Sequence, residues 1–312
     1  MSRQTADVPR AHVDDVAATE RLTDALADIH GDPYEFAVRR WDGSTVLESD
    51  ENRATYHVVV DADDTSTTVR AGDPVRGPPP EAPYREPVAG LPTAGKTHTV
   101  AMWPGDVIVL QPDEAPVELM GAGTTFEVRV PPTAYPAPRF GFLRNMSDDA
   151  GGCAEYEQAF RREVLPPEVS AEEGDTRGVN RVNQHTLDMR HDREPTPVQH
   201  CHAPVATGDG PVPHTETAIV LDRSTYGLPS VEGSDRHIRL FRRPREDPTD
   251  WVDVPVEPGS IVVTPATEQR VYGHCFRNAF AALVAVPGFT APLIEIDPDA
   301  DREGESHRKY HE

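Results

Sequence analysis

The stretch Glu257-Pro-Gly-Ser-Ile-Val-Val-Thr-Pro265 decides the fold, because Trp103-Pro-Gly-Asp-Val-Ile-Val-Leu-Gln-Pro112 has the same layout. Each copy reads as a Pro-Gly turn, an apolar strand and a closing proline. Each is followed by a loop containing glycine and by a further apolar strand, at residues 126–130 and 280–286. A β unit that recurs along the chain predicts two tandem β-barrels.

Short strands between turns account for most of the remaining chain, because 32 prolines and 22 glycines interrupt the apolar runs. Two segments instead have the apolar spacing of helices, 16–29 and 154–164. The predicted strands lie at 55–60, 98–102, 106–110, 125–130, 183–189, 198–202, 217–221, 237–241, 260–264 and 279–286. We therefore expect an all-β protein with tandem jelly-roll-type barrels and a few short helices.

The domain order follows from the repeat. It predicts an N-terminal helical segment at 1–34, a first barrel at 35–150, a helical linker at 151–180, a second barrel at 181–297 and a charged tail at 298–312. The proline-rich segment 73–96 reads as a surface loop, with a lid as the alternative. The charged tail is expected to be disordered.

The charge balance limits the classes of molecule that the chain is expected to bind. The chain has 53 acidic and 30 basic residues, a formal net charge of −23, and its two lysines are Lys96 and Lys309. An acid-rich, lysine-poor surface is typical of proteins from a high-salt cytoplasm; arginine-biased codons are the alternative explanation for the few lysines. So acidic a chain is not expected to bind nucleic acid, because phosphate contacts need clustered cationic side chains.

The location is predicted to be cytoplasmic. No apolar stretch reaches the ~18–20 residues of a membrane span, and the N-terminal residues lack the apolar segment of a secretory signal. Three cysteines without a C-x-x-C pair argue against a disulfide framework and fit a reducing compartment.

The most direct sign of chemistry is His200-Cys201-His202 with Glu216 downstream. Two histidines two positions apart on a strand project from one face, and Glu216 opens the next apolar run. Two imidazoles and a carboxylate on one sheet face form a metal site with open coordination positions. Zn, Mn, Fe or Ni would suit these ligands, and the sequence does not choose among them.

Two neighbours of this set have open roles. If the strand of Glu216 begins early, His214 shares its face. His214 would then be a metal ligand, a hydrogen-bond partner of a ligand or a general base. If the strand begins later, His214 is a loop residue. Cys201 alternates with the histidines, so its side chain is expected to pack outside the barrel.

The two motifs together resemble the cupin superfamily, and the duplication resembles a bicupin. The gap from His202 to Glu216 is longer than in compact cupins. It is similar to the bicupin sugar-acid isomerases of the 5-deoxy-glucuronate isomerase and 4-deoxy-5-ketouronate isomerase type. The resemblance is one of pattern and covers most of residues 180–290. In the first barrel it extends only to the layout of the Pro-Gly turn and the strand after it.

That resemblance implies a fourth ligand, a histidine shortly after Pro265, but Glu268, Gln269 and Arg270 stand there. The nearest histidine is His274. The fourth ligand is therefore His274, Glu268, Gln269 or water.

The implied activity is isomerisation of a small sugar acid with one divalent metal ion, Glu216 or His214 moving the proton. An Fe(II) dioxygenase and a non-catalytic ligand-binding cupin are the alternatives. His237 and Arg239 share a strand face, where they would bind an anionic substrate or, facing outward, pair with surface acids. The first barrel lacks histidines around Pro112 and is expected to be metal-free. The predicted partners include a second copy of the chain, in a homo-oligomer.

Overall fold

The structure is a computed structural model. It describes residues 8–69, 98–131, 140–141, 159–163, 181–187, 200–207, 210–226, 236–244, 246–268, 270–277, 279–286 and 293–295. The proline-rich segment 73–96 and the tail 298–312 lie outside these residues, so the expectations for both stay predictions.

One α-helix and nineteen strands make up the described part of the chain. A 3-10 turn at Arg223–Tyr226 adds a short connection. In chain order the elements are β1 Arg10–His12, α1 Val16–His30, β2 Glu35–Leu47, β3 Ala54–Val69, β4 His98–Ala101, β5 Val107–Leu110, β6 Val117–Val130, β7 Phe140–Gly141, β8 Ala159–Glu163, β9 Arg181–Leu187, β10 His200–His202, β11 Val205–Thr207, β12 Gly210–Val212, β13 His214–Val220, β14 His237–Arg243, β15 Asp247–Pro255, β16 Ser260–Ala266, β17 Gly273–Arg277, β18 Phe280–Val286 and β19 Leu293–Glu295.

The all-β class is confirmed, and each predicted strand coincides with an observed one over the residues described. The first predicted helix is also confirmed as α1. The side chain of Asp15 caps its first turn by accepting a hydrogen bond from the amide of Ala18, and Gly31 ends the helix with a φ of 63°. The described helix is too short to cross a membrane.

The second predicted helix, 154–164, is wrong over its described residues. Ala159–Glu163 is the edge strand β8, paired antiparallel with β9. Alanine, arginine and glutamate favour a helix locally, but pairing with a neighbouring strand outweighs such weak preferences. The predicted helical linker therefore contains a strand.

Three main sheets build the two barrels. The first barrel is a six-strand sheet in the order β2-β6-β3-β5-β7, with β4 paired to β3. The second barrel consists of a six-strand sheet, β1-β16-β13-β18-β9-β8, and a five-strand sheet, β15-β14-β17-β10-β19. The strand β1 precedes the first barrel in sequence but pairs with β16 of the second.

The two Pro-Gly turns have the same conformation, which confirms the repeat. Gly105 and Gly259 have φ of 89° and 88°. Their amides donate to equivalent carbonyls, of Val59 on β3 at 2.7 Å and of Val220 on β13 at 2.8 Å. The strands β3, β5 and β6 of the first barrel thus correspond to β13, β16 and β18 of the second.

A shared apolar core joins the two barrels. One face of β3 and β6 packs in the same cluster as one face of β13, β16 and β18, and α1 contributes Leu22 and Leu26. The opposite faces of these strands enclose a separate apolar core in each barrel. Successive residues of a strand therefore alternate between the joint core and the interior of a barrel.

Candidate metal centre

The interior of the second barrel is polar at one end. Ala218 and Val220 of β13 and Phe276 of β17 lie in the apolar core between the two sheets. By strand alternation, Glu216 and His274 extend the same inner faces toward the strand ends. The six-strand sheet thus contributes Glu216 and the five-strand sheet contributes His274 to one side-chain cluster.

Three imidazoles surround one carboxylate in this cluster. Oε2 of Glu216 lies 3.3 Å from Nε2 of His202 and 3.4 Å from Nε2 of His274. The rings of His202 and His214 have centroids 4.9 Å apart. His214 and His274 are each 2% exposed and Glu216 is 6% exposed, so water is largely excluded.

A threonine orients His274. Nδ1 of His274 is 3.1 Å from the hydroxyl of Thr264 on β16, whose inner-face neighbour Val262 lies in the second barrel's core. With Nδ1 held by this contact, Nε2 is the ring nitrogen directed at Glu216. Metal-binding histidines commonly engage their second nitrogen in this way, which fixes tautomer and ring orientation.

The residues present fit a divalent metal ion. The candidate ligand atoms of His202, His214 and Glu216 lie within 4.8 Å of one another. An ion bound by nitrogen and oxygen at about 2.1 Å holds its ligand atoms about 3.0–4.2 Å apart, so small side-chain movements suffice. Imidazole nitrogen and carboxylate oxygen also suit Zn, Mn, Fe and Ni alike.

The predicted ligands come together to different extents. The structure brings His202, His214, Glu216 and His274 into one cluster, and β13 begins early enough to include His214. The backbone of His200 pairs with that of His274 on the neighbouring strand. The structure describes the backbone of His200 but not its side chain, so His200 stays a predicted ligand.

The candidates for the fourth ligand lie in different places relative to the cluster. Glu268 is exposed and lines an outer depression with Pro211 and Arg270, whereas His274 is buried beside Glu216. Gln269 lies outside the described residues. Cys201, 1% exposed, packs with Phe241 on the outer side of the sheet, as alternation from His202 predicted.

Of the two alternatives for His237 and Arg239, the structure matches the outward-facing one and not the substrate-binding one. Their neighbours Ile238 and Leu240 occupy the barrel core, so these two side chains face outward. Arg239 binds the carboxylate of Asp253 through Nε at 2.7 Å and Nη2 at 3.0 Å and stacks over the ring of Trp251 at 4.6 Å. A surface acid therefore satisfies this guanidinium, outside the metal cluster.

Two further histidines, one partly buried and one fully buried, were missed from the sequence. His30, at the end of α1, contacts the hydroxyl of Thr215 at 2.9 Å behind the metal cluster, and burial lowers its pKa to about 3. His57 of the first barrel is 2% exposed, and burial lowers its pKa to about 4. Neither belongs to a short motif; His57 could have been found only as a polar residue in an apolar strand.

Comparisons with known proteins assign neither a family nor a function to the chain. No family model matches the chain, and no curated protein matches it. Similar solved structures include oxalate decarboxylase from Lactobacillus farciminis, 9% identical with a TM-score of 0.47, covering 97% of this chain and 96% of that one. Salicylate 1,2-dioxygenase from Pseudoaminobacter salicylatoxidans is 9% identical, TM-score 0.43, covering 97% and 90%. Vicilin from Solanum lycopersicum is 9% identical, TM-score 0.40, covering 91% and 83%.

Proposed function

We propose that this chain is a metal-dependent bicupin that isomerises a small sugar acid. The observation that carries the proposal is the convergence of His202, His214 and His274 on the carboxylate of Glu216 inside the second barrel. Imidazole nitrogens and a carboxylate oxygen brought together in this way are a set of ligands that divalent cations bind. The sugar-acid part rests on the motif spacing described above.

His202, Glu216 and His274, with His200, would hold the ion, and His214, which lies within 4.8 Å of the ligand atoms of His202 and Glu216, would stand beside it. When bound, a divalent ion polarises the carbonyl and hydroxyl oxygens of a substrate and stabilises negative charge on them. Aldose–ketose isomerisation moves a proton between adjacent carbons. His214, inside the cluster but distinct from the H-x-H pair, accepts the proton from one carbon and returns it to the next, and Glu216 is the alternative base.

The setting that we propose is cytoplasmic, with a small anionic sugar acid as substrate and a homo-oligomer as the assembly. No helix in the described residues could cross a membrane. Because Arg239 is engaged by Asp253, an anionic substrate would be bound by other groups around the barrel mouth.

Metal analysis tests the site. Replacement of His202 or Glu216 by Ala should remove stoichiometric divalent metal from the purified protein, as measured by mass spectrometry of the metal content. The matched control is Cys201→Ser, which lies between the two histidines but packs on the outer side and should retain the metal. A His202→Ala protein with full metal content would show that the ligands are assigned wrongly.

Proton exchange tests the reaction. In D₂O, an isomerase loaded with Zn or Mn should convert a uronate to its ketose and incorporate deuterium at the carbon beside the carbonyl, as followed by NMR. Substrate-dependent O₂ consumption after anaerobic loading with Fe(II) would instead indicate a dioxygenase. Metal binding with neither reaction, over a panel of aldonates and uronates, would favour a ligand-binding cupin.

A further inference from the structure

The first barrel has an end that corresponds to the metal end of the second. Thr55 pairs with Leu110, and Glu216 pairs with Thr264, at matching points after the two Pro-Gly turns. Thr55 therefore occupies the position of Glu216. The mouth beside Thr55 is the duplicate of the mouth that carries the metal cluster.

This mouth is also lined by buried polar side chains. They occupy the inner faces of β3 and β6, whereas deeper inner positions such as Val59 and Ile108 are apolar. Burial of polar and charged groups costs free energy that an apolar filling would avoid, so a barrel with only a packing role would not need them. The buried polar residues and their exposed fractions are Thr55 1%, His57 2%, Thr125 0% and Glu127 2%.

Two arginines converge on one carboxylate at this mouth. Arg39 donates from Nε and Nη2 to Glu127, and Arg129 donates from Nε to Oε1 of Glu127 at 2.7 Å. The side chains of Arg39 and Arg129 are 49% and 27% exposed, so both guanidinium groups reach solvent. Nη1 of Arg129 also donates to Oε2 of Glu35 at 3.4 Å, so the two arginines lie between the buried carboxylate and an acid at the rim.

His57 supplies neutral hydrogen-bonding capacity beside this pair. It is buried, and neither ring nitrogen has a hydrogen-bond partner within the described part of the chain. Its Nδ1 lies 3.6 Å from Oε2 of Glu127, beyond hydrogen-bonding distance. The hydroxyls of Thr55 and Thr125 likewise have no partner there. These groups point to a polar ligand.

The rim is open to solvent and acidic, because Asp32, Asp50 and Glu51 line it beside Arg53. An open depression of about 670 Å³ is lined by residues that include Asp50, Arg53 and Pro131, where β3 begins and β6 ends. Arg53 binds Glu35 at 2.7 Å and Asp50 at 2.9 Å. Nη1 of Arg129 lies 3.9 Å from Asp50, which links the inner wall to the depression. The acids of the rim oppose a ligand with more than one negative charge.

We propose that the first barrel binds a small monocarboxylate between Arg39 and Arg129, with His57 and Thr55 as neutral partners. Planar guanidinium groups match a carboxylate in geometry and charge, and Glu127 shows that these two arginines already hold one. A metal ion does not fit, because two guanidinium groups stand beside the single imidazole and carboxylate. The inference is independent of the activity proposed for the second barrel.

Acetate binding to protein treated with EDTA tests this site without the metal. Calorimetry should show saturable binding to the wild type and none to the Arg39→Gln, Arg129→Gln double variant. The control is Arg243→Gln, an exposed arginine paired with Asp250, which should bind as the wild type does. His202→Ala should also bind acetate normally, so failure of the metal proposal would not affect the result.

Glu127→Gln gives the sharper result, because it removes the internal carboxylate that competes with acetate. The variant should bind acetate about tenfold more tightly, whereas a purely structural ion-pair network predicts only lost stability. Should the double variant not fold, as judged by circular dichroism, Arg39→Lys replaces it and should bind about tenfold more weakly, since lysine lacks the planar fork. Absence of acetate binding in the wild type, or unchanged or weaker binding in Glu127→Gln, would overturn the proposal.

Discussion

At the scale of the residue, the hydroxyl of Thr264 decides how His274 presents its ring. The contact with Nδ1 leaves Nε2 directed at Glu216. Replacing the hydroxyl of Thr264 by a methyl group would therefore alter the orientation of a candidate ligand, although Thr264 is not itself a ligand. Threonine stands where the first barrel has Leu110, an apolar residue of its core. The hydroxyl therefore distinguishes the barrel with the metal cluster from the one without.

Thr264→Val should weaken metal affinity by about 10- to 100-fold, the range found when the outer partner of a ligating histidine is lost. Titration with a chromophoric chelator measures the affinity, and Thr264→Ser should restore it. Thr217→Val is the matched control, a buried threonine on β13 whose hydroxyl makes no hydrogen bond within the described residues. Equal losses in both valine variants would show a general packing effect.

Much of this cluster was predictable from residue order. Alternation along a strand put His202 on one face and Cys201 on the other, and it put His214 with Glu216. His274 could only be one of several candidates, because its contact with Glu216 depends on two strands from different sheets. For His237 and Arg239 two alternatives stayed open for the same reason: alternation gives a shared face but does not say which face is inside.

At the scale of the element, the Pro-Gly turn of the second barrel is fixed by more than its own backbone. Gly259 has a positive φ, and a Cβ atom there would lie 2.9 Å from Val13 Cγ2 and 3.0 Å from His12 Nε2. That ring also contacts the carbonyl of Pro258 at 2.9 Å. The turn is therefore the point where the segment after β1 is packed against β16.

Gly259→Ala should destabilise the protein by about 3 kcal/mol, because left-handed backbone strain adds to a steric clash. Gly43→Ala is the matched control: its φ is 94°, but nothing lies within 4 Å of its Cβ position. That variant should lose only about 1 kcal/mol. Urea denaturation measures both, and equal losses would contradict the role given to the close approach.

The elements themselves were predictable where apolar runs were short and bounded by turns. The strands that the sequence reading missed, such as Glu35–Leu47 and Asp247–Pro255, carry charged residues along much of their length and lack that signature. Ala159–Glu163 was predicted to be helical because the five residues themselves do not reveal that the segment pairs with β9.

At the scale of the whole molecule, two neutral histidines with lowered pKa values make stability depend on pH. His30 and His57 have folded-state pKa values of about 3 and about 4, both lowered by burial from an ordinary value of 6.5. Below about pH 6.5 the unfolded chain therefore binds protons on these histidines that the folded chain does not bind. Their stabilising effect is complete above pH 6.5 and is lost as the pH falls toward these folded-state values.

Between pH 7 and pH 5, each of these histidines should reduce the free energy of unfolding by about 2 kcal/mol. Urea midpoints across this range measure the effect. In His57→Gln the dependence on pH should be shallower than in the wild type, because glutamine does not titrate. An identical slope in the two proteins would mean that His57 is protonated to the same extent when folded and unfolded.

The pairing of β1 with β16 sets an order of assembly. Residues 10–12 are synthesised before the whole first barrel, yet their partner strand lies some 250 positions later. Contacts so distant in sequence form late, so the six-strand sheet of the second barrel is completed by a segment that was synthesised long before its partner strand. A second barrel excised at its own sequence boundaries would present the unpaired edge of β16, and an edge of that kind recruits another chain's strand.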